Sequence, residues 1–424
     1  MTVGEVRAAP TRRRSRLRRF LSGRAALWVA FLLVHALLAG INLWAQGGPL
    51  YDVTGVYHRW AELAADGSVR MGIDAPWVYP ILAFAPMTLS LAFGPEWYGQ
   101  TWLAMVAILD AAAFSVLLGT RRLSRTRRIA AWWWSGFLLL LGPIAMGRID
   151  AITVPLALTG LLWAAGRPRV AAALLTIGAW VKVWPAALIA ALLVASRKRW
   201  DVGTVAVALS AGIIGVSLLA GSGLNAVGFV AEQAGRGLQV EAPLAVAWLW
   251  QIVAGSSTVE VVYDRDILTF QISGPGADAA AALTTPLMAI GVAVVLALGI
   301  RAVRRGAAFG RMFPPLALAF VVVLLLANKV GSPQFVTWLA APVVLGLVLR
   351  PRRFLVPAAL AAGIALLTQV IYPYWYAWLL AAHPGFVLVL TVKALLMAAL
   401  LVWGIRALWQ AGSTWDRRAP APAA

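Results

Sequence analysis

Asp52 is the carboxylate best placed for chemistry in this sequence, because it follows the end of a long apolar run by only a few residues. A carboxylate near a membrane surface, beside apolar walls, suits a general base that takes a proton from a hydroxyl group. Aspartate is also common at helix caps and in turns, and spacing alone favours that structural role. Both roles stay open on the residues alone.

Three cations are candidates for binding a phosphate group. Arg148 can pair with Asp150 as a structural ion pair, or it can bind a phosphate. Lys182 interrupts an apolar stretch, where it can either snorkel to the interface or meet a phosphate. Lys329 opens a polar break that includes Gln334, and this break can also be a plain loop between helices.

Other charges have simpler interpretations. Asp110 and Lys393 fall within apolar runs, where they can pair with each other or line a cavity. The aromatic run from Tyr372 to Tyr376 is typical of an interfacial belt. Solvated surface is the simplest interpretation for the charges of the second polar segment, which are Glu232, Arg236, Glu241, Asp264, Arg265 and Asp266.

Composition and motifs exclude several classes of site. The chain has no cysteine, so it forms no disulfide and no cysteine-based metal site, and its three histidines are not in metal-binding spacing. No nucleotide-binding glycine loop is present, which argues against ATP-driven transport by this chain alone. The net charge of +20 resides largely in short arginine runs between apolar stretches, so we expect membrane lipids and no nucleic acid as partners.

The elements that carry these residues are predicted to be membrane helices. The chain is 62% hydrophobic and 12% charged, against about 45–50% and about 25% in soluble domains. We therefore predict an all-α polytopic membrane protein with about twelve transmembrane helices. The predicted crossings are 25–44, 101–119, 129–146, 151–165, two short helices within 170–195, 202–220, 277–300, 312–328, 335–349, 355–371 and 386–408.

Flanking arginines set the predicted orientation. They place the basic tail 1–24 and the tail 411–424 in the cytoplasm, around a transmembrane catalytic domain over 25–410. Residues 46–77 and 221–276 then form outer loops. If segment 78–93 crossed the membrane, the basic run after residue 120 would face outside, so we predict a surface helix there. Asp52, Arg148, Lys182 and Lys329 then share the outer side.

The order of these features resembles the polytopic glycosyltransferases of the C superfamily, which use polyprenyl-phosphate sugars. Over most of the chain it is most similar to glycosyltransferase family 87, the mannosyltransferases of actinobacterial envelope glycolipid synthesis. The resemblance rests on Asp52 with Val56-Tyr57, Tyr79-Pro80, the break from Lys182 to Pro185, and Lys329 followed by Ser332-Pro333-Gln334-Phe335. Ile81 stands where a second proline often follows the Tyr-Pro pair.

The resemblance implies a function. The donor would be polyprenyl-phosphate-mannose, and the acceptor would be a lipid-linked glycan such as a phosphatidylinositol mannoside. Asp52 would act as the base of an inverting displacement at the outer face of the plasma membrane. No cofactor is expected, although Asp52 and a donor phosphate can together hold a divalent cation. The residues implied to bind substrate are Tyr57, His58, Arg59, Arg148, Asp150, Lys182, Lys329 and Gln334.

Three alternatives remain open on the sequence. A polyprenyl-phosphate-pentose transferase, such as an arabinofuranosyltransferase, would differ only in pocket shape. A lipid or glycolipid transporter would commonly show paired repeats with broken helices, and this chain shows one such break. A non-catalytic scaffold in glycolipid assembly would not depend on Asp52.

Overall fold

A computed structural model of the protein describes residues 23–265, 267–411 and 413. The predicted tails 1–24 and 411–424 lie almost entirely outside these residues, as does Asp266. In chain order, the α-helices of the described residues are α1 Arg24–Trp44, α2 His58–Ala65, α3 Phe84–Leu89, α4 Tyr98–Leu118, α5 Arg125–Leu141, α6 Asp150–Trp163, α7 Pro168–Val181, α8 Pro185–Ala195, α9 Arg199–Leu219, α10 Asn225–Ala234, α11 Val246–Val253, α12 Ala277–Arg304, α13 Phe309–Leu326, α14 Ala340–Leu349, α15 Leu355–Ile371, α16 Tyr376–Leu380 and α17 Pro384–Ala411.

Shorter turns extend or join these helices. A π-helix runs from Asp52 to Tyr57, and five 3-10 turns are present in the described part of the chain: Ile81–Ala83, Pro95–Trp97, Gly142–Ala145, Pro243–Ala245 and Pro333–Leu339.

Seven helical segments of the described chain are long and apolar enough to cross a membrane. The protein is therefore a multi-pass membrane protein, as its composition predicts. Six shorter apolar helical segments accompany them, and twelve crossings stay a prediction. The seven are Arg24–Trp44, Pro95–Leu118, Arg125–Ala145, Arg199–Leu219, Ala277–Arg304, Phe309–Leu326 and Pro384–Ala411.

Burial divides the helices into inner and outer elements. Most residues of α6, α13 and α14 are buried, as expected for helices that are apolar on all sides. In contrast, α9 and α12 expose large apolar side chains, among them Val207, Leu219 and Ile290. Exposed apolar faces of this kind are suited to contact with lipid.

Arginines bind the C-terminal end of α4. Arg24 donates to the carbonyl oxygen of Gly119, and Arg127 donates to the carbonyl oxygens of Val116 at 3.0 Å and Leu117 at 2.6 Å. These bonds satisfy carbonyl groups that have no partner within the helix, and they place positive charge at the negative end of the helix dipole.

The break within 170–195 occurs where the sequence predicts it. α7 ends at Val181 and α8 begins at Pro185, the favoured first position of a helix for proline. Residues 182–184 form the turn between them, and Lys182 has an extended backbone.

The predicted surface helix over 78–93 is wrong in its length. It consists of the 3-10 turn Ile81–Ala83 and the six residues of α3, which span about 9 Å and cannot cross a bilayer. The hydroxyl of Ser90 bonds back to the carbonyl of Pro86, and Gly94 has a positive φ of 95°. The Ser90 bond lies at the end of α3, and Gly94 directly precedes the next 3-10 turn, Pro95–Trp97.

The segment 221–276, the second predicted outer loop, holds structure that the sequence analysis did not predict. It contains α10 and α11 and an antiparallel hairpin of β1 Glu260–Asp264 and β2 Thr269–Ser273. Residues 238–240 lie along β2, since the amide of Val240 donates to Phe270 and that of Ile272 donates to Leu238. Because of this pairing, residues 236–241 are partly or fully buried.

Candidate active site

The site begins at the first turn of the π-helix, where Asp52 and Arg148 form an ion pair. The Nε atom of Arg148 lies 2.8 Å from Oδ2 of Asp52. Insertions of π-helical turns are frequent at functional sites. The side chain of Asp52 is 40% exposed, so a substrate hydroxyl can reach its carboxylate.

The guanidinium of Arg148 is largely occupied by protein groups. Its Nη1 atom donates to the carbonyl oxygens of Pro49 and Gly147, each at 2.7 Å, and Nη2 donates to the hydroxyl of Tyr372 at 2.7 Å. Arg148 is 5% exposed. It therefore forms an ion pair with Asp52 rather than with its neighbour in sequence, Asp150, and it orients the Asp52 carboxylate.

Two buried tyrosines extend the site from Asp52. The hydroxyl groups of Tyr57 and Tyr79 lie 3.3 Å apart, and the amide of Ile149 donates to Tyr57 at 3.4 Å. Burial raises the pKa of Tyr79 to about 12. The pKa of Tyr57 is also raised, mainly by burial and secondly by the nearby Tyr79. Both phenols are therefore neutral near pH 7 and can donate hydrogen bonds.

Lys182 reaches this aromatic group from the turn between α7 and α8. Its ammonium lies 4.5 Å from the ring centre of Tyr79 and 5.4 Å from that of Phe335. Cation–π contacts of this length hold an ammonium in place without neutralising its charge. The charges of Asp150 and Asp52 both act on Lys182, so the lysine is part of the same site.

Asp150 interacts electrostatically with Lys182 and is 0% exposed. One carboxylate oxygen accepts a hydrogen bond from Nε1 of Trp338 at 2.7 Å, and the other has no hydrogen-bond partner among the described residues. The ring of Trp338 stacks with that of Trp184, at a centre-to-centre distance of 5.4 Å, and with that of Phe335, at 4.4 Å. Asp150 is thus a buried carboxyl group that the hydrogen bond from Trp338 holds in one orientation.

Two more cations are Arg236 and Lys329, and the charge of Arg236 acts on both Lys182 and Lys329. Lys329 is 8% exposed, and its carbonyl accepts a hydrogen bond from the amide of Gln239 at 2.9 Å. Burial, and then the charge of Arg236, lower the pKa of Lys329. Arg236 also acts on Lys182, and its buried Nε has no hydrogen-bond partner among the described residues. Cations that act on one another in this way favour the binding of an anion.

The sequence analysis missed Arg236, which it assigned to solvated surface. A single charge in a polar loop carries no signal of burial. Arg236 is partly buried because residues 238–240 lie along β2. The same pairing buries Glu241 to 8% exposure, so the expected solvated surface is wrong for Glu241 too.

Three of the implied substrate-binding residues lie apart from the Asp52 carboxylate in their described contacts. His58 stacks on Tyr98 at 4.4 Å and lies 3.4 Å from Glu62. Gln334 is buried in the 3-10 turn before α14, where its backbone carbonyl accepts a hydrogen bond from the hydroxyl of Thr337. Arg59 is exposed on α2.

Asp110 and Lys393 have separate partners. Asp110 lies 3.1 Å from Nε2 of His35, and both side chains are buried. Lys393 lines a narrow cavity together with Glu241, and its charge acts on that carboxyl. Glu241 also accepts a hydrogen bond from Tyr376. The sequence left open whether Asp110 and Lys393 pair with each other or line a cavity. Lys393 lines a cavity, and the predicted pairing of the two residues is wrong.

The arrangement combines a reachable carboxylate with a group of fixed cations. A carboxylate of this kind can accept a proton from a hydroxyl, and the cations can stabilise a phosphate that develops charge. Within residues 23–265, 267–411 and 413, no group of three or more His, Asp or Glu side chains could hold a metal ion.

A comparison with known families identifies a domain of this chain. Residues 77–257 match the model of glycosyltransferase family 87. The chain contains a glycosyltransferase family 87 domain. The protein is thus a membrane glycosyltransferase, as the sequence resemblance indicates. No curated protein and no solved structure matches the chain.

The family 87 match covers only part of the site. Tyr79, Arg148, Lys182 and Arg236 lie within residues 77–257, whereas Asp52 and Lys329 lie outside them. Two contacts connect the matched segment with these outside residues. They are the ion pair of Arg148 with Asp52 and the backbone hydrogen bond from Gln239 to Lys329.

Proposed function

We propose that this family 87 glycosyltransferase moves a mannosyl residue from polyprenyl-phosphate-mannose to a lipid-linked glycan acceptor of the phosphatidylinositol mannoside or lipomannan type. The observation that carries the proposal is the 2.8 Å contact between the buried Arg148 guanidinium and the 40% exposed Asp52 carboxylate. A carboxylate that is oriented by a buried cation and remains accessible to solvent can accept the proton of a hydroxyl group.

The proposed reaction is one in-line displacement. The acceptor hydroxyl oxygen attacks the anomeric carbon of the donor and forms the new glycosidic bond. The bond from that carbon to the phosphate oxygen breaks, and its electron pair leaves with the polyprenyl phosphate. Asp52 takes the hydroxyl proton. The configuration inverts, so a β-linked donor gives an α-mannoside.

The leaving phosphate is proposed to bind Lys182, Arg236 and Lys329. Charge develops on its oxygen as the bond breaks, and fixed cations lower the barrier most when they need not move. Arg148 is not part of this group, because its donors hold Asp52 and backbone carbonyls. Its proposed role is to position the base.

We also propose that the site faces the outer side of the plasma membrane. A Cβ added to Gly99, near the N-terminal end of α4, would lie 3.1 Å from the side chain of Thr54, so the Asp52 segment packs at that end. Arg24 and Arg127 bind the other end of α4. The 21 residues of α4 span about 30 Å, the thickness of the hydrocarbon core. The basic end then faces the cytoplasm.

The test is a transfer assay of the purified protein with synthetic polyprenyl-phosphate-mannose and a panel of mannolipid acceptors. The Asp52→Asn variant is expected to lose about 10²- to 10⁴-fold in kcat, because the amide cannot take the proton. Asp74→Asn is the control, since Asp74 is an exposed carboxylate of the same loop, paired with Arg70. Full activity of Asp52→Asn would overturn the proposed role of Asp52 as the base. If the protein transferred sugar only from a polyprenyl-phosphate pentose, the donor would be a pentose and not mannose.

A further inference from the structure

A second cleft opens beside Asp52, between the two outer loops. One wall belongs to the first loop and includes Tyr51, Trp60 and Trp77, and the facing wall includes Glu232 and Arg265 of the second loop. The cavity volume is about 510 Å³, within the range of about 300–1,000 Å³ that is usual for ligand pockets.

The aromatic wall of this cleft is firmly supported. The ring of Trp60 stacks with that of Tyr57 at 6.0 Å, and it meets the edges of Trp77 at 5.5 Å and Tyr79 at 6.1 Å. Trp77 is 2% exposed, and its indole N–H has no hydrogen-bond partner among the described residues. A rigid aromatic surface binds a flat apolar face at low cost in side-chain entropy.

Several residues that line the cleft are neighbours of Asp52 in the π-helix segment. Tyr51 directly precedes Asp52, and Gly55 and Val56 of the same π-helix also line the cleft. The Tyr51 ring is largely exposed and lies over Gly55, where an added Cβ would approach it to 3.0 Å. A molecule in the cleft can therefore extend a hydroxyl to Asp52.

Charged groups at the cleft restrict the chemistry of the occupant. Arg59 and Arg265 supply hydrogen-bond donors, and Glu232 supplies acceptors. A hydrocarbon chain would leave all three charges unused, and a phosphate could pair with the two arginines but would leave the acceptors of Glu232 without a donor. A neutral sugar ring satisfies both parts of the cleft, because its C–H face can stack on an aromatic ring while its hydroxyls bond to the charged groups.

We propose that this cleft binds the glycan of the acceptor lipid, with sugar rings on Tyr51 and Trp60 and hydroxyls on Arg59, Glu232 and Arg265. The inference rests on the proposed function, since it assigns the acceptor side of the same site. It predicts that acceptors with several sugars bind through the cleft, whereas an acceptor with one sugar does not reach it.

The test uses Tyr51→Ala and Glu232→Gln in the purified full-length protein. Both side chains are exposed, so the variants are expected to fold. The KM for an acceptor that bears several mannose units should rise about tenfold, while the KM for an acceptor with a single mannose stays unchanged. Trp97→Ala, an exposed aromatic that is not among the cleft residues, is the control.

Direct binding separates this inference from the proposed function. Saturation-transfer NMR with the soluble methyl glycoside of a mannotriose should show binding that both variants weaken. If the trisaccharide binds in this way but no sugar is transferred, the proposed function fails and the cleft assignment stands. If transfer occurs but both variants keep the wild-type KM and trisaccharide binding, or raise the KM for the donor instead, the cleft assignment is overturned.

Discussion

Nε of Arg148 lies 2.8 Å from Oδ2 of Asp52, and the two side chains differ sharply in exposure, at 6% and 40%. A buried cation thus holds a carboxylate that remains accessible. The other groups on Arg148 are the carbonyls of Pro49 and Gly147 and the hydroxyl of Tyr372. The orientation of Asp52 therefore depends on the planar guanidinium of Arg148, whose N–H donors have a fixed geometry.

Replacement of Arg148 by Lys is predicted to impair the base without removing the positive charge. A lysine ammonium is a point charge and cannot reproduce the planar fork that joins Asp52 to Pro49, Gly147 and Tyr372. We expect kcat to fall between about 10- and 100-fold, with little change in the KM for the donor, because the carboxylate is displaced rather than lost. Steady-state kinetics with the lipid donor measure both constants.

Arg70→Lys is the matched control for this substitution. Arg70 forms an exposed ion pair with Asp74 at 2.8 Å in the segment after α2, and exposed pairs contribute little. Its kinetics should equal those of the wild type. A rise in the donor KM of Arg148→Lys with an unchanged kcat would instead make Arg148 a substrate ligand.

Neutral replacements of the cation group are predicted to weaken binding of the lipid phosphate. Lys182→Gln and Arg236→Gln each remove a charge from the proposed leaving-group site, and we expect kcat to fall about 100-fold. Polyprenyl phosphate without a sugar should inhibit both variants more weakly than the wild type. Lys198→Gln, at an exposed position before α9, is the control. Equal inhibition of all four proteins would exclude the phosphate role.

Much of the fold was predictable because it depends on local patterns. Apolar runs predict the long helices, and the break after Val181 follows from a lysine and a proline within one apolar stretch. The positions of Asp52 and Lys182 relative to helix ends follow in the same way. These features depend on residues close together in sequence.

The pairings within the site were not predictable, because they depend on which helices pack together. Nothing near Asp52 in the sequence indicates Arg148 as its partner, and Arg148 stands beside a nearer candidate, Asp150. His35 and Asp110 likewise meet only because α1 and α4 pack together. Burial of Arg236 depends on a loop segment that lies along β2, and polar composition conceals such an arrangement.

Gly331→Ala is predicted to destabilise the protein and to displace Lys329. An added Cβ at Gly331 would collide with the backbone of Glu241 and Ala242, which cannot move like the end of a flexible side chain. We expect a loss of about 1–3 kcal/mol in the free energy of unfolding, together with reduced transfer activity. Gly228→Ala in α10 is the control, because an added Cβ there meets nothing within 4 Å. Equal stability of the two variants would contradict the close approach.

Glu241 is predicted to make the stability of the protein depend on pH. Burial raises the pKa of Glu241 to about 7 from an ordinary value of 4.5, although Lys393 and the hydrogen bond from Tyr376 act in the opposite direction. The folded protein therefore keeps this proton up to about pH 7, whereas the unfolded chain releases it near pH 4.5. Since the folded state binds more protons between these values, stability falls as the pH rises from about 4.5 to about 7, and then levels off.

The size of this effect follows from the shift, which corresponds to about 3 kcal/mol over the full interval. Thermal unfolding in detergent between pH 5 and pH 8 measures it. The informative variant is Glu241→Gln combined with Lys393→Met, because above about pH 7 Glu241→Gln alone would leave the buried Lys393 ammonium without its anionic partner. Its Tm should decline less than that of the wild type over this range. Glu260→Gln, at an exposed position of β1, should keep the wild-type decline. A decline in the double variant as steep as in the wild type would assign the pH dependence to other groups.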